Sequence, residues 1–331
     1  MTLCPGCRYE VTSSSIRKFS SSSTGRDFQL YYCSRCDLMF WEPRIIDPHF
    51  YSGNKLGYEE FHCNLRKSLP FNSKPFFDFF PHKNGRLLDV GGGDGLFARK
   101  AQEMGFEVTM IDFDEKSVKT ARKRGVDKAF TYSLEEFVLT CKARRLRFDI
   151  ISFFEVLEHQ EDLESFINNI KELLVPDGWI VGSTPNRDRI CANLTRKLDG
   201  QDTPPHHFFW WSKKSLRNFF AAHGFHIDIF PAKIDIDATT ANLLDFISGK
   251  VVRKIKERII SHNFDQPDAE IGRTRHSILF SMKYARRFFL FPAGLLLKFA
   301  YDRSGGFSFY FQGHINDLNL IQDSLSVKGC K

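Results

Sequence analysis

Short apolar runs alternate with one-sided amphipathic stretches through the middle of the chain. A run of roughly four to eight apolar residues is typical of a buried strand, whereas apolar residues spaced roughly three to four apart are typical of a helix lying on a sheet. Phe166, Ile167, Ile170, Leu173 and Leu174 show the helical spacing. The alternation predicts a doubly wound α/β sheet. Strands are expected at 87–90, 106–111, 129–131, 148–153, 179–183, 225–230 and 307–311.

The first strand runs directly into a glycine-rich turn. Residues 89–95 have the form D-x-G-x-G-x-G, and a helical pattern begins at Leu96. Alternating glycines let the backbone turn tightly and approach a ligand, and the following helix presents free N–H groups. Asp112 ends the next strand about 20 residues later, where nucleotide-binding folds place an acid that accepts ribose hydroxyls. The pattern indicates a nucleotide site.

The form of this turn and its spacing to Asp112 resemble class I methyltransferases that use S-adenosylmethionine. Dehydrogenases use G-x-G-x-x-G, and their third glycine would fall at Leu96. The resemblance implies a Rossmann-like sheet with S-adenosylmethionine as cofactor; another nucleotide site or an inactive copy of the fold is the alternative. It places around the cofactor Asp89, Gly91, Gly93 and Gly95 at the methionine end, Asp112 at the ribose, Phe154 beside the methyl group, and Ser133 and Leu134 as weaker candidates near the adenine.

The fourth strand leads into F-E-V-L-E-H at 154–159. This segment narrows the resemblance to ubiquinone-biosynthesis-type O-methyltransferases, which carry a similar E-x-L-E-H after their fourth strand. Their topology implies that 307–311 inserts antiparallel beside the fifth strand and that 231–306 forms a mostly helical cap or insertion. No N-P-P-Y-like segment follows the fourth strand, so oxygen is the expected acceptor atom, with carbon retained as an alternative.

A general base is one way in which the residues after the fourth strand can serve methyl transfer. The sulfonium is already a good methyl donor, so the protein must mainly align the acceptor and remove its proton. Histidine titrates near neutral pH. His159 and either His206 or His207 are therefore the candidate bases, and Glu155 borders the methyl group.

A divalent metal ion is the second way. Glu155, Glu158 and His159 stand at i, i+3 and i+4, and they share one face if the segment is helical. The later H-x-F-x-W-S, which begins at His207, resembles small-RNA terminal 2′-O-methyltransferases, in which two glutamates and two histidines bind metal. That resemblance implies Mg²⁺ or Mn²⁺ at Glu155, Glu158, His159 and His207. A purely structural role for 154–159 is the third interpretation.

Four of the eight cysteines form two C-x-x-C pairs, Cys4 with Cys7 and Cys33 with Cys36. Two such pairs near one terminus suit tetrahedral zinc, and an all-cysteine shell leaves no open position, so the predicted zinc is structural. Redox thiols or accidental pairs are the alternatives. The serine-rich run 12–24 is expected to be a flexible ribbon tip. The remaining cysteines are interpreted as scattered thiols: Cys63, Cys141, Cys191 and Cys330.

An aromatic segment follows the second cysteine pair, at 38–44 and 49–58. This order resembles the leader of bacterial methyltransferases associated with sugar and cell-surface polysaccharide biosynthesis, and it implies a lid over the cofactor or acceptor, or an anchor for the ribbon. The predicted organisation is a zinc ribbon at 1–43, a lid or linker at 44–84, the cofactor-binding core at 85–230, the cap at 231–306, the final strand at 307–313 and a tail at 314–331.

Length and charge set limits on the partners. The 331 residues carry a net charge of +7, with basic clusters at 119–124, 142–147 and 253–258 that are usually solvated helix faces. The polar start of the chain shows no secretory signal, so a cytoplasmic protein is expected. The apolar stretch within 286–301 is too short for a membrane span and contains Pro292, so it suits a buried helix or a peripheral contact with the inner face of the membrane.

The sequence therefore predicts an S-adenosylmethionine-dependent methyltransferase. Its expected acceptor is an oxygen, or alternatively a carbon, of a sugar-containing small molecule or a surface glycan precursor. An RNA 2′-O-methyltransferase is the weaker alternative, since no aromatic-basic RNA module stands out. A non-catalytic scaffold that retains the nucleotide fold is the other.

Overall fold

The computed structural model describes residues 2–11, 15–46, 68–189, 192–193, 196, 202–232 and 306–315. The chain divides into two units, Met1–Lys233 with Gly305–Lys331, and Ile234–Ser304, and every described residue belongs to the first. The predicted aromatic lid at 49–58 and the apolar stretch at 286–301 lie outside the described residues, as does nearly all of the predicted cap. None of the described helices combines the length and the apolar character needed to cross a membrane.

The amino-terminal ribbon consists of short antiparallel strands. Its strands are β1 (Thr2–Leu3), β2 (Glu10–Val11), β3 (Arg17–Ser20), β4 (Asp27–Tyr32) and β5 (Met39–Glu42). β1 pairs with β2, and β4 lies between β3 and β5. The expectation of a flexible tip is wrong for Arg17–Ser20, because these residues pair with Asp27–Leu30 across a turn. Serine and lysine on an exposed strand carry little apolar signal.

The core strands follow in chain order: β6 (Gly85–Val90), β7 (Phe106–Asp112), β8 (Ala129–Thr131), β9 (Phe148–Phe154), β10 (Leu174–Pro185), β11 (Phe209–Trp210), β12 (Phe225–Pro231) and β13 (Ser308–Ile315). Seven of them form one sheet in the order β12-β13-β10-β9-β6-β7-β8. The strands from β10 to β8 run parallel, and β13 is antiparallel to β10 and to β12. The predicted doubly wound sheet with an antiparallel last strand beside the fifth is confirmed.

Helices cover the sheet on both faces. They are α1 (Lys74–Phe79), α2 (Leu96–Glu103), α3 (Glu115–Lys123), α4 (Leu134–Arg144), α5 (Leu163–Leu173) and α6 (Lys213–Ala222). α5 shows why they form. Asp162 caps its start by accepting from the backbone N–H groups of Glu164 and Ser165, and Phe166, Ile167 and Ile170 on one side are buried.

Two strands extend beyond the predicted limits. β10 begins at Leu174, which pairs with Phe148, and its register then shifts before Trp179 so that the strand passes the Pro-Asp-Gly sequence at 176–178. β13 continues to Ile315, which pairs with Phe225. In both places partner strands supply the hydrogen bonds, and the local sequence does not show them.

The apolar core has two parts, one on each face of the sheet. One part packs around α1, α2 and α3. The other joins α4, α5 and α6 to the ribbon, so that Phe28, Leu38 and Trp41 of the ribbon belong to the same cluster as Phe208 and Phe220. The ribbon is therefore packed into the core and is not a separate appendage.

Candidate active site

The glycine turn lies where the strand order reverses, between β6 and β9. Ligands of open α/β sheets bind outside the carboxyl ends of the strands at such a point. Gly91 and Gly95 have φ of +68° and +73°. A Cβ at Gly91 would lie 2.7 Å from Cγ2 of Val156, and one at Gly95 would lie 2.5 Å from Cβ of Ala121. Both positions therefore require glycine, and the turn lies directly against the segment that follows β9.

Asp112 connects the turn to the neighbouring strand. Its Oδ2 accepts from the backbone N–H of Gly93 at 2.9 Å, and its Oδ1 accepts from the backbone N–H of Asp114 at 2.9 Å. The carboxylate thus sits beside the turn at the end of β7. This is the position from which an acid accepts ribose hydroxyls in nucleotide-binding sheets.

Asp89 lies near the end of β6, where the glycine turn begins. Its side chain is buried beneath the turn, where Oδ1 accepts from the hydroxyl of Ser152 at 2.7 Å. Burial raises the pKa of Asp89 to about 7, the bond from Ser152 opposes this, and the charge of Asp112 adds to it. Asp89 therefore supports the turn from inside, and its predicted place at the methionine end of the cofactor stays a prediction.

The weaker cofactor candidates also have structural roles. The Ser133 hydroxyl accepts from the backbone N–H of Glu136, and the Glu136 side chain accepts from the backbone N–H of Ser133, which closes a capping box at the start of α4. Leu134 is buried. Phe154 packs its ring against Phe97, with centroids 4.6 Å apart. The predicted contacts of these residues with the cofactor remain predictions.

The segment after β9 is not the regular helix that the metal hypothesis assumed. Glu155 has a left-handed backbone with φ of +53°, and only Leu157–His159 form a turn of 3₁₀-helix. The expectation that Glu155, Glu158 and His159 share one helical face is therefore wrong. The chain reverses sharply here because the backbone N–H of Glu155 still bonds to the carbonyl of Ser183 in β10 while Val156 closes on the glycine turn.

Each glutamate is held by a hydroxyl from the end of β10. Ser183 donates to Oε1 of Glu155 at 2.8 Å, and Thr184 donates to Oε2 of Glu158 at 3.2 Å. Burial raises the pKa of both carboxyls, and the charge of Glu155 raises that of Glu158 further. Oε1 of Glu158 is buried without a hydrogen-bond partner among the described residues and lies 3.9 Å from Nε2 of His159.

Three imidazoles meet beside these glutamates. The rings of His159, His206 and His207 have centroids 4.4 to 4.7 Å apart, and one nitrogen from each lies within 4.8 Å of the others. Nδ1 of His159 donates to the carbonyl of His206 at 2.7 Å. Burial, with the charges of His206 and His207, holds the pKa of His159 well below its ordinary value. Both members of the pair that the sequence left open belong to the cluster.

Asp202 orients the cluster, and it is a site residue that the sequence analysis missed. Its Oδ1 accepts from Nδ1 of His207 at 3.0 Å, and its Oδ2 accepts from Arg189 and Arg196, both at 2.7 Å. Burial alone would raise the pKa of Asp202, but the bond from His207 and the nearby positive charges lower it. The only sequence signal is an acid four residues before a histidine pair, which is weak.

The four cysteines of the ribbon come together as predicted. Sγ of Cys4 lies 3.5 Å from Sγ of Cys36, Sγ of Cys7 lies 3.6 Å from Sγ of Cys33, and all four sulfurs lie within 4.8 Å of one another. A hydrogen bond from Cys36 lowers the pKa of Cys4 to about 6, which favours one thiolate in the cluster. The set fits a tetrahedral structural zinc with a closed shell.

Comparison with known proteins identifies the core. A family model described as a methyltransferase domain matches residues 61–228. The ubiquinone biosynthesis O-methyltransferase of Caulobacter sp. (strain K31) is 34% identical over 154 residues, which are 45% of this chain and 58% of the relative. That of Bordetella avium (strain 197N) is 36% identical over 107 residues, 31% of this chain and 44% of the relative. The chain thus spans about half the length of the curated relatives it matches.

Among solved structures, a SAM dependent methyltransferase from Archaeoglobus fulgidus is similar with a TM-score of 0.47 and 16% identity, over 81% of this chain and 100% of that chain. The family match covers the glycine turn, Asp112 and the E-x-x-E-H segment, and the sheet has the doubly wound order with an antiparallel last strand. The chain therefore belongs to the methyltransferase domain family.

Proposed function

We propose that this protein transfers the methyl group of S-adenosylmethionine to a hydroxyl oxygen of a small molecule. One observation supports this most strongly: the imidazoles of His159, His206 and His207 converge just after β9, in a segment whose Val156 lies against Gly91 of the glycine turn. A methyl donor held at the turn and an acceptor held at the imidazoles would then be neighbours. The names of the curated relatives agree with an oxygen acceptor.

The cluster is arranged to receive a proton. His159 and His207 both commit Nδ1–H to oxygen acceptors, the carbonyl of His206 and the carboxylate of Asp202. In a neutral ring this tautomer places the lone pair on Nε2. With the lone pair there, His159 is the proposed base that takes the hydroxyl proton as the acceptor oxygen attacks the methyl carbon and the carbon–sulfur bond of the sulfonium breaks.

The same nitrogens suit a divalent ion, although the ligand set differs from the expected one. The three imidazoles form the candidate group, and Glu155, which is not part of it, accepts from Ser183. Glu158 can complete the set, since its buried Oε1 faces Nε2 of His159. Three imidazoles with one carboxylate favour Mn²⁺ over Mg²⁺, which prefers oxygen ligands. A bound ion would lower the pKa of an acceptor hydroxyl.

The proposed acceptor carries neighbouring oxygens, as in a catechol or a sugar diol. Such a pair can place one oxygen at the methyl group while the second contacts the imidazoles or the ion. A sugar-containing molecule or glycan precursor is the acceptor that the ribbon and its aromatic segment favour. The zinc held by Cys4, Cys7, Cys33 and Cys36 is proposed as structural.

Calorimetry and turnover test this function. Purified protein is titrated with S-adenosylmethionine and with S-adenosylhomocysteine, each with Mn²⁺, with Mg²⁺ and with neither ion. Radiolabelled methyl transfer is then measured to 3,4-dihydroxybenzoate and to nucleotide sugars. His207→Ala is expected to abolish transfer while cofactor affinity is retained, and the matched control His226→Ala, which alters an exposed histidine on β12, is expected to change neither. Absence of cofactor binding in the folded protein would overturn the proposal.

A further inference from the structure

The histidine loop, residues 203–212, carries His206 and His207, and a strand from this loop completes the ribbon sheet. β11 (Phe209–Trp210) begins two residues after His207 and pairs antiparallel with β5, Phe209 opposite Phe40 and Trp210 opposite Met39. The four strands lie in the order β11-β5-β4-β3. The loop that carries two of the three imidazoles therefore runs straight into the amino-terminal ribbon.

Phe208 links the ribbon to the segment after β9. Its N–H donates to the carbonyl of Glu158 at 2.8 Å, and its carbonyl accepts from the N–H of Trp41 at 2.9 Å. Phe208 is fully buried, and Trp41 meets Trp210 edge to face at 5.5 Å. The residue that follows His207 is thus held on one side by the ribbon and on the other by the residue that precedes His159.

The second cysteine knuckle, the turn that carries Cys33 and Cys36, makes a further connection to the core through Asp37, the residue that follows it. Its Oδ2 accepts from Arg187 at 3.0 Å and from the hydroxyl of Ser212, and its Oδ1 accepts from Tyr32 at 3.1 Å. Arg187 also donates to the carbonyl of Asp37 at 2.6 Å. Ser212 is the last residue of the loop 203–212, and Arg187 follows β10, so one carboxylate of the ribbon holds the end of that loop and the chain just after β10.

The two knuckles have matching backbones but differ in how deeply the ion pair of the residue after the second cysteine is buried. In each, the residue after the second cysteine bonds back to the carbonyl of the first and has positive φ, +58° at Arg8 and +67° at Asp37. Arg8 forms an ion pair with Glu164 that is exposed to solvent. The ion pair of Asp37 with Arg187 is largely buried. A buried charged pair fixes geometry more strongly than an exposed one.

We propose that the ribbon is a positioning element of the active site, in which Asp37 and strand β5 hold the loop 203–212 so that His206 and His207 meet His159. The catalytic meaning of this arrangement rests on the proposed role of the imidazoles, whereas the positioning itself does not. The ribbon metal then matters to methyl transfer without touching either substrate, because it sets the knuckle from which Asp37 projects.

Hydrogen exchange followed by mass spectrometry tests the positioning on the full chain. Asp37→Gly removes the carboxylate and keeps the left-handed backbone free of strain. Amide exchange across 203–212 is expected to rise about tenfold or more, because a charged hydrogen-bond network is lost, while exchange across 89–97 changes less than about twofold. Asp37→Asn retains acceptor capacity and is expected to restore part of the protection. Asp27→Ala is the matched control, since this ribbon carboxylate accepts from Ser20 on the neighbouring strand β3.

Zinc content is measured on each variant. If Asp37→Gly loses the metal, Arg187→Gln removes the same ion pair from the core side and is expected to raise exchange across 203–212 with the metal retained. Unchanged exchange there in a metal-loaded variant would overturn the proposal, as would an equal rise over the whole core. These measurements need neither cofactor nor acceptor. Failure of the wild type to bind S-adenosylmethionine would instead count against the proposed function alone.

Discussion

The turn that faces the cofactor and the cluster that faces the acceptor are built in different ways. The turn comes from one contiguous stretch, 89–95, and Asp112 of the neighbouring strand accepts from Gly93 within it. The imidazole cluster is assembled from 155–159, the end of β10, and 202–207, with the ribbon packed behind it. A local motif carries its geometry in its own backbone, whereas an assembled cluster depends on the packing of distant segments. We therefore expect the two halves of the site to respond independently to substitution.

Substitution of His159 tests that independence most severely. His159→Ala removes the proposed base, and a positioned base contributes about 10² to 10⁴-fold to rate. Turnover on 3,4-dihydroxybenzoate should fall by that factor, while calorimetry should show cofactor affinity within about twofold of wild type because the turn is untouched. A parallel loss of cofactor affinity would show that the two halves are one coupled unit.

Asp112→Ala tests the other half. Loss of charge-assisted hydrogen bonds to ribose costs about 2 to 3 kcal/mol, which weakens cofactor binding roughly 30-fold to 150-fold. Asp114→Ala is the matched control, an acid two positions on that caps α3 by accepting from the N–H of Ser117. It should lower stability but leave affinity nearly unchanged. Equal affinities for Asp112→Ala and wild type in calorimetry would remove the ribose role.

The acid beneath the turn is expected to make stability depend on pH. The pKa of Asp89 is raised to about 7 in the folded chain. The folded chain binds this proton more tightly than the unfolded chain does. Its contribution to the free energy of unfolding is therefore largest below the ordinary pKa of an aspartate and is lost as pH rises through about 7. Between pH 5.5 and pH 8, wild type should lose about 2 kcal/mol of unfolding free energy relative to Asp89→Asn, by urea denaturation. Parallel pH profiles for the two proteins would contradict a buried, protonated Asp89.

Ser133 gives the smallest expected effect and decides whether it belongs to the cofactor half. Ser133→Ala opens the capping box of α4 and should cost about 1 kcal/mol of unfolding free energy. Cofactor affinity should stay the same, because the hydroxyl is already engaged with the N–H of Glu136. A tenfold loss of affinity with little change in stability would instead restore the predicted place of Ser133 near the adenine.

The sheet was accessible from the sequence because each strand carries its own apolar run. Where a strand depends on its partner strands, no local pattern in the sequence indicates it. The register shift that lets β10 begin at Leu174 is one case, and the pairing of polar β3 with β4 is another. Both are stabilised by backbone hydrogen bonds that leave no apolar pattern.

The site shows the same division. Asp112 was predictable because its spacing from the glycine turn follows from one strand-helix-strand unit. Asp202 was not, because its partners Arg189 and Arg196 precede it and only the folded loop gathers them. The prediction that Glu155 and Glu158 share a helical face was wrong for a related reason. The left-handed backbone at Glu155 is incompatible with the helix that the spacing assumed.

The shared sheet of ribbon and histidine loop also bears on protein engineering. A leader cut from the chain at residue 43 would leave β5 without its partner β11, and β5 carries the large apolar side chains of Phe40 and Trp41. Unpaired apolar edges template aggregation. Transplanting this leader onto another enzyme therefore requires carrying the loop at 202–212 with it, because the exchangeable module is discontinuous in the gene.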